Sequence, residues 1–324
     1  MKVLKAKKET AEKTRQKLLE RGALDKRFRI RADASFVYFA VKKGVNISGL
    51  GNVVHSALEA REKKTKHAPD RKGVVARAHD VVGDIVVLES EKNARELKDV
   101  AQQYLDFYKS AKTVVAKSTK TSGEFRVRHV RHVAGEKKTK TLHKENGCVF
   151  FVDLNTVFYT PRLSGERKRI LEQVKNGERV VDMFSGVGPY IIPIAKFRNV
   201  EAYANDKNPD AYKLLVENAA KNKVSIACSN KDAENLAIKN ADRILMNLPK
   251  DSEAFLDAAF KMSKNGTVVH FYHFSGEEDL FETQKKQIIK KAKEYGFSVK
   301  FLREAKAGEI GIRQYRVVID FQLF

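Results

Sequence analysis

The sequence predicts an α/β protein whose C-terminal half is a Rossmann-like domain, preceded by a middle α+β domain and a small N-terminal domain. Three observations carry that expectation. Strand-like and helix-like segments alternate from Gly165 onward, the pattern of a parallel sheet with helices on both faces. A Gly-rich turn, Gly186-Val187-Gly188, follows the first strand of that alternation. Ahead of it, strand and helix patterns mix without alternating, and the basic stretch REKKTKHAPDRKG (61–73) reads as a linker. The expected domains are 1–65, 74–163 and 164–324.

In the first domain, Glu9–Gly22 reads as a helix, with Ala11, Thr14 and Leu18 at helical spacing and Gly22 as a stop. FVYFAV (36–41) reads as a strand, being aromatic and β-branched. The second domain has a strand-turn-strand region at 74–88 and a helix near 94–108. Strands are expected at 125–133, 141–143 and 148–154. The third has strands at 179–183, 202–205, 225–228, 243–246 and 267–271, with helices at 190–196, 209–222 and 252–263. A last helix, with Phe281, Ile288, Ala292 and Tyr295 on one face, and two strands complete the pattern.

Charge divides the chain unevenly. Residues 1–150 hold 35 Lys+Arg against 18 Asp+Glu, whereas residues 151–324 hold 28 against 23. The excess is therefore +17 in the first part and +5 in the second, out of +22. A basic half joined to a near-neutral half suggests a polyanion-gripping part attached to a catalytic part. Two cysteines, Cys148 and Cys228, cannot make a disulfide framework, so a cytoplasmic location is expected. The start, MKVLKAKKETAEK, has no apolar core of the signal-peptide kind. No stretch approaches the ~20 apolar residues needed to span a bilayer. His and Cys show no zinc-ligand spacing, so no metal is expected.

The segment VVDMFSGVGPY (180–190) is the strongest local signal. A buried strand ends in Asp182 and opens into the Gly-rich turn, and a helix is expected from Pro189. Glycines let the backbone pass close to a ligand at the carboxyl ends of strands. A dinucleotide fingerprint would need Gly or Ala three residues after Gly188, where Ile191 stands. Asp206 closes the next strand, where its carboxylate could take both ribose hydroxyls of a nucleoside. Asp232 follows the third strand and could hold an adenine amino group. Each of these carboxylates taken singly also reads as a helix cap; together, at successive strand ends, they read as a nucleoside site. Asn247, at the tip of RILM before Leu248-Pro249, could donate and accept at the edge of a flipped base. It also reads as an Asn-x-Pro turn.

At this point the chain resembles the Trm5 family of tRNA (guanine-37, N1) methyltransferases of archaea and eukaryotes. The blocks that carry the resemblance run in order: HDVVGDIVVL (79–88), GEFRVR (123–128), LHKENG (142–147), FYTPRLSGERKRI (158–170), DMFSGVGP (182–189), DKNPDAY (206–212) and MNLP (246–249). The resemblance covers residues from about 75 onward; over 1–65 it rests on general pattern. It implies a class I methyltransferase domain as the third part, with S-adenosylmethionine as cofactor. It further implies a first domain that touches the outer corner of tRNA and a middle domain that holds the anticodon stem-loop. No membrane and no obligate protein partner are expected, and a monomer is the default. The family's catalytic glutamate falls on Glu166, and its active-site arginine on Arg126, with Arg128 as the alternative. Its base-pocket residues fall on Asn247 and Pro249, and its cofactor carboxylates on Asp182 and Asp206. Phe184, Gly186, Gly188, Lys207, Asp232 and Asn247 complete the expected cofactor contacts. Phe158 stands where some relatives have Tyr, with Tyr159 directly after it.

These residue types suit N1 methylation. Guanine N1 carries a proton and needs a general base; a buried Glu with a raised pKa suits that role. A guanidinium such as Arg126 would stabilise the charge that develops on O6. From the residues alone, Glu166 also reads as a helix-start Glu in the charge run GERKR. The stripe Arg126, Arg128, His129, Arg131 and His132 also reads as phosphate contacts. Neither cysteine lies in a loop suited to nucleophilic attack, which argues against C5 methylation of pyrimidines. Three other readings are carried: aminocarboxypropyl transfer in the wyosine pathway, dual methylation of guanosine and a tricyclic intermediate, and a non-catalytic tRNA-binding protein.

Overall fold

The structure is a computed structural model that describes residues 2–25, 28, 30–42, 44–55, 78–89, 94–118, 127, 129–311 and 313–324. The chain forms two compact units, Met1–Val74 and Val75–Phe324. The expected linker at 61–73 and the strand expected to begin at Phe125 lie partly or wholly outside the described residues.

Among the described residues, the first unit is a four-stranded antiparallel sheet with one α-helix. Its elements are β1 (Lys2–Lys7), α1 (Ala11–Glu20), β2 (Arg31–Ala32), β3 (Phe36–Ala40) and β4 (Asn52–His55), in the sheet order β2-β3-β1-β4. Alternation along β1 sends Leu4 and Ala6 to one face, where they meet Phe39 and the Leu18 side chain of α1. The helix expected at Glu9–Gly22 is there, preceded by a 3-10 turn at Lys8–Thr10.

The second unit opens with β5 (His79–Val82), β6 (Ile85–Leu88), α2 (Ala94–Phe107), β7 (Thr113–Lys117) and β8 (Val130–Gly135), whose strands form a sheet in chain order. Leu97, Ala101 and Tyr104 recur at helical spacing on α2 and pack on Val86, Leu88, Val114 and Ala116. A hairpin follows, β9 (Lys140–Glu145) and β10 (Cys148–Asp153).

The remaining elements build the Rossmann-like layer. They are α3 (Ser164–Gln173), β11 (Arg179–Asp182), α4 (Ile191–Phe197), β12 (Glu201–Asn205), α5 (Pro209–Lys221), β13 (Ala227–Ser229) and β14 (Ala241–Met246). After these come α6 (Leu256–Met262), β15 (Ser263–Gly276), α7 (Glu282–Glu294), β16 (Val299–Gly311) and β17 (Gln314–Leu323). The sheet order is β13-β12-β11-β14-β15-β17-β16. The first five strands run parallel. Of the last two, only β17 runs the other way: it pairs antiparallel with both β15 and β16, slotted between them, because β16 turns directly into β17 and hairpin partners must be antiparallel; β16 keeps the direction of the first five. The order reverses at β11, so the crevice beyond the carboxyl ends of β11, β12 and β14 is the expected ligand position. Pro189 precedes the start of α4 by two residues and belongs to the turn; the first helix-type bond runs from the Ile192 amide to the Gly188 carbonyl.

The β9–β10 hairpin docks on this layer through two asparagines of α5. Asn218 accepts from the Phe151 amide at 2.6 Å and donates to its carbonyl at 3.1 Å. Asn222 does the same for Val149, at 2.9 and 2.6 Å. Two side chains thus satisfy an edge that a further strand would otherwise pair. This seats the following segment, residues 158–167, against the carboxyl ends of the parallel strands. Among the described residues no helix is long and apolar enough to cross a membrane.

Candidate active site

The turn after β11 is shaped by its glycines. Gly186 (φ +54°) and Gly188 (φ +89°) both lie in the left-handed region. They are needed for different reasons. A Cβ on Gly186 would meet only the Phe158 carbonyl oxygen, at 4.0 Å, so the backbone there is open to a ligand. A Cβ on Gly188 would fall 2.6 Å from Ile192 and 2.8 Å from Leu215, so this glycine lets α4 and α5 close on the sheet.

A cavity of about 200 Å³ lies over this turn. Of the residues expected to hold a cofactor, Phe184, Gly186, Asp206, Lys207, Asp232 and Asn247 line it, as does Pro249. Asp182 sits beneath it, fully buried at the end of β11. Phe184 packs edge-on against Phe255 with ring centroids 4.9 Å apart, which gives the cavity an aromatic wall.

The carboxylates differ in environment. The Gly186 amide donates to one oxygen of Asp206 at 2.7 Å and the Asn208 amide to the other at 2.9 Å. These bonds tie the turn after β11 to the turn after β12. Burial nonetheless pushes Asp206 above the usual carboxylate range, against the pull of those two amides. Asp182 is pushed further, to about 8, by burial first and by the neighbouring Asp206 charge. Its Oδ1 takes a 3.4 Å bond from the Phe184 amide, and its Oδ2 has no partner among the described residues. The buried Oδ1 of Asn247 also lacks one among them. Two buried polar atoms are thus under-satisfied, one of them on a carboxyl group whose ionised form burial disfavours; a polar ligand would partner them, and one that brings positive charge would favour ionised Asp182. Asp232 caps a 3-10 turn through the Glu234 amide and pairs with Lys207 at 2.8 Å.

Residues 158–167 form a further wall. Arg167, buried, forks onto Glu145 at 2.9 and 2.8 Å and donates to the Thr160 carbonyl at 2.9 Å. Tyr159 donates to Oε2 of Glu145 at 2.9 Å, one of the two oxygens that Arg167 reaches, and the Arg167 guanidinium lies 5.1 Å from the Tyr159 ring centre. Burial pushes Glu145 up, but its bonds to His143 and Arg167 outweigh that and leave it below the usual range. A larger chamber, about 700 Å³, adjoins the cavity and shares Phe158, Tyr159, Leu163 and Arg316 with it. The ion pair of Arg162 with Asp80, at 2.6 Å, lines that chamber.

Glu166 lies on the first turn of α3, outside the lining of both cavities. Its carboxylate is held by a two-point fork from Arg169, at 2.9 and 2.7 Å, and by the Tyr272 hydroxyl at 2.6 Å. Tyr272 leads to the cavity through Tyr190, whose ring centre is 6.3 Å away and which lines the cavity. Arg126 and Arg128 lie outside the described residues.

Several lining residues carried no local signal. Arg167 reads as one more charge in GERKR, Phe255 as a helix residue, and Arg316 as a strand residue far along the chain from the Gly-rich turn. Only the fold brings them together.

Residues 141–300 match the TRM5/TYW2 methyltransferase domain model. Residues 4–48 match the tRNA methyltransferase 5 N-terminal domain, and residues 64–139 the TYW2 N-terminal domain. The chain is 33% identical over 318 residues to the tRNA (guanine(37)-N(1))-methyltransferase Trm5b of Pyrococcus abyssi, covering 95% of both. The crystal structure of that Trm5b superposes with a TM-score of 0.73, covering 100% of this chain and 99% of the other. The structure of aTrm5 with tRNALeu gives a TM-score of 0.68 at 30% identity, covering 99% of each chain. A tRNA(Phe) (4-demethylwyosine(37)-C(7)) aminocarboxypropyltransferase of Methanocaldococcus jannaschii is 31% identical over 244 residues. That match takes in 74% of this chain and 95% of the relative.

Proposed function

Because the chain belongs to the TRM5/TYW2 family, S-adenosylmethionine-dependent enzymes that modify guanosine 37 of tRNA, we propose that it methylates N1 of that guanosine, with Glu166 as the general base. One observation carries the choice within the family. The P. abyssi methyltransferase matches nearly end to end, and residues 4–48 match the methyltransferase-type N-terminal domain. The aminocarboxypropyltransferase relative, matched over almost its whole length, reaches only 74% of this chain.

The cofactor supplies an electrophilic methyl carbon, so the chain's own residues position and handle charge. The cavity supports that cofactor: Asp206 and Asp232 line it and are carboxylates able to accept from ribose hydroxyl and adenine amino donors, and the under-satisfied Asp182 favours a cationic ligand. Asn247 and Pro249 hold the edge of the target base, which enters through the larger chamber. Glu166 takes the N1 proton, and Arg126, or Arg128, stabilises the charge left on O6. For Glu166 to reach the base, its bond with Tyr272 must open toward the cavity. The basic first half, +17 over residues 1–150, grips the phosphates of tRNA, with residues 1–65 at the outer corner and the middle domain at the anticodon stem-loop.

The second reading within the family is wyosine-pathway chemistry on the same nucleotide, by aminocarboxypropyl transfer or by methylation of a tricyclic intermediate; the relative from M. jannaschii favours it. Incubation of the protein with labelled cofactor and either unmodified G37 tRNA or tRNA carrying the tricyclic base at position 37, followed by nucleoside mass spectrometry, separates the readings. N1-methylguanosine at position 37 supports the first. Label only on tricyclic substrates supports the second, and no label on any of them leaves a tRNA-binding protein.

A further inference from the structure

Two carboxylates share one guanidinium behind the cofactor cavity. Arg169 forks onto Glu166 and also donates Nη1 to Asp320 of β17 at 2.6 Å. The three side chains are only 17%, 11% and 3% exposed, in that order. Beyond Asp320 stands His270, with Nδ1 2.6 Å from the carboxylate. Its Nε2 lies 2.8 Å from Nη1 of Arg243. A guanidinium can only donate, so Nε2 accepts and the ring proton sits on Nδ1, aimed at Asp320. Burial holds the His270 imidazole below its usual range, so it serves as a neutral donor. Burial pushes Asp320 up, but its bonds to His270 and Arg169 outweigh this and keep it ionised.

The charge count gives this arrangement a purpose. Glu166, Asp320 and Arg169 together carry one net negative charge. A simple Glu–Arg pair would carry none, and protonating its Glu would strand a buried cation, which is the costly event in a low-dielectric site. With Asp320 in place, Arg169 keeps a counter-ion whichever form Glu166 takes.

We propose that Asp320 is a positioning residue for proton transfer to Glu166: it holds Arg169 as a shared counter-ion, so Glu166 can pass between carboxylate and carboxyl with the buried guanidinium always paired. The proposal rests on Glu166 being the base. The ring N–H proton of the target passes to a Glu166 oxygen and leaves its electron pair on the ring nitrogen; Glu166 later gives the proton to water. Among the described residues, Arg169 from α3, Tyr272 from β15 and Tyr190 at the start of α4 are the other titratable or charged groups facing it, and Asp320 acts from β17 through Arg169. Burial keeps both tyrosines in the neutral phenol form.

The test is a carbon-13 NMR titration of Glu166 in the cofactor-free protein, assigned through Glu166→Gln, beside single-turnover rates. Asp320→Asn removes an anion and should lower the Glu166 midpoint by about one pH unit and the rate about tenfold, as loss of a near like charge does. Cofactor and tRNA affinities should not change, and Asp320→Glu should restore parent behaviour. Arg169→Gln should move the midpoint the opposite way, upward. A merely structural clamp would not give opposite signs; if one variant fails to fold, the other decides by its own direction, downward for Asp320→Asn or upward for Arg169→Gln. Midpoints that stay put, or move together in one direction, overturn the proposal. If Glu166→Gln slows turnover but Asp320→Asn moves neither midpoint nor rate, the shared ion falls and the base stands. If Glu166→Gln turns over at the parent rate, the base reading itself has failed.

Discussion

Lys207 and Asp232 are bonded to each other at 2.8 Å on the wall of the cavity over the Gly-rich turn, with 48% and 32% of their side chains exposed. Two residues that sequence alone presents as separate cofactor contacts are therefore already partners. An exposed pair of this kind contributes about 0–1 kcal/mol. Asp232→Asn should accordingly change S-adenosylmethionine affinity by less than about fivefold, measured by calorimetry.

Asp206 should behave differently. Its carboxylate is locked by two backbone amides and largely shielded from water. Charged hydrogen bonds to cofactor hydroxyls are each worth roughly 1.5–3 kcal/mol, so Asp206→Ala should weaken the cofactor by at least about tenfold. Unchanged calorimetric affinity would remove Asp206 from the site.

Glu166→Gln keeps size and shape and removes the basic oxygen. The variant should bind cofactor and tRNA nearly normally while its single-turnover rate falls by ~10²–10⁴, the usual share of general-base catalysis. Normal turnover would reduce Glu166 to a helix-start residue held by Arg169.

Asp182 makes the cofactor-free protein pH-sensitive. Its folded carboxyl is raised from 3.8 to about 8, so the folded state holds a proton that the unfolded state has lost. Stability from this group is full below the unfolded value and drains away as pH rises through the folded one. The melting temperature of the parent should fall relative to Asp182→Asn between those two values and run parallel to it at higher pH. Parallel curves throughout would mean that the Asp182 carboxyl is not raised.

The basic N-terminal part should bind tRNA through phosphates. Removing residues 1–65 should weaken tRNA binding without altering cofactor affinity. Binding by the intact protein should fall steeply with added salt, since counterions are released from the nucleic acid. Filter binding at two salt concentrations that gave equal affinities would contradict this.

The parallel core was legible because β11, β12 and β14 are short apolar runs that stop at polar residues, and the helices between them carry helical spacing. β1 was not, since in KVLKAK Lys5 and Lys7 alternate with the buried Leu4 and Ala6, and a further lysine stands at position 2, which masks the strand pattern. The antiparallel placement of β17 has no local sequence signature, because strand order is settled by packing. The same division holds at the site. Asp206, Gly186 and Asn247 sit at strand ends, where the chain announces them. Arg167 pairs with Glu145, 22 positions away, and Arg169 with Asp320, 151 positions away. No local window contains both partners of either pair.

The slot that β17 takes in the sheet bears on how the protein is made. Synthesis is vectorial, and β16 leaves the ribosome before the strand that must lie between it and β15. Until β17 emerges, β16 has no neighbour to pair with, and neither Arg316 nor Asp320 exists. A nascent chain that has already folded its Gly-rich turn therefore lacks one wall of the cofactor cavity and the second counter-ion of Arg169. The Arg316 side of the cavity and the second counter-ion of Arg169 are completed late and together, when that one inner strand is inserted.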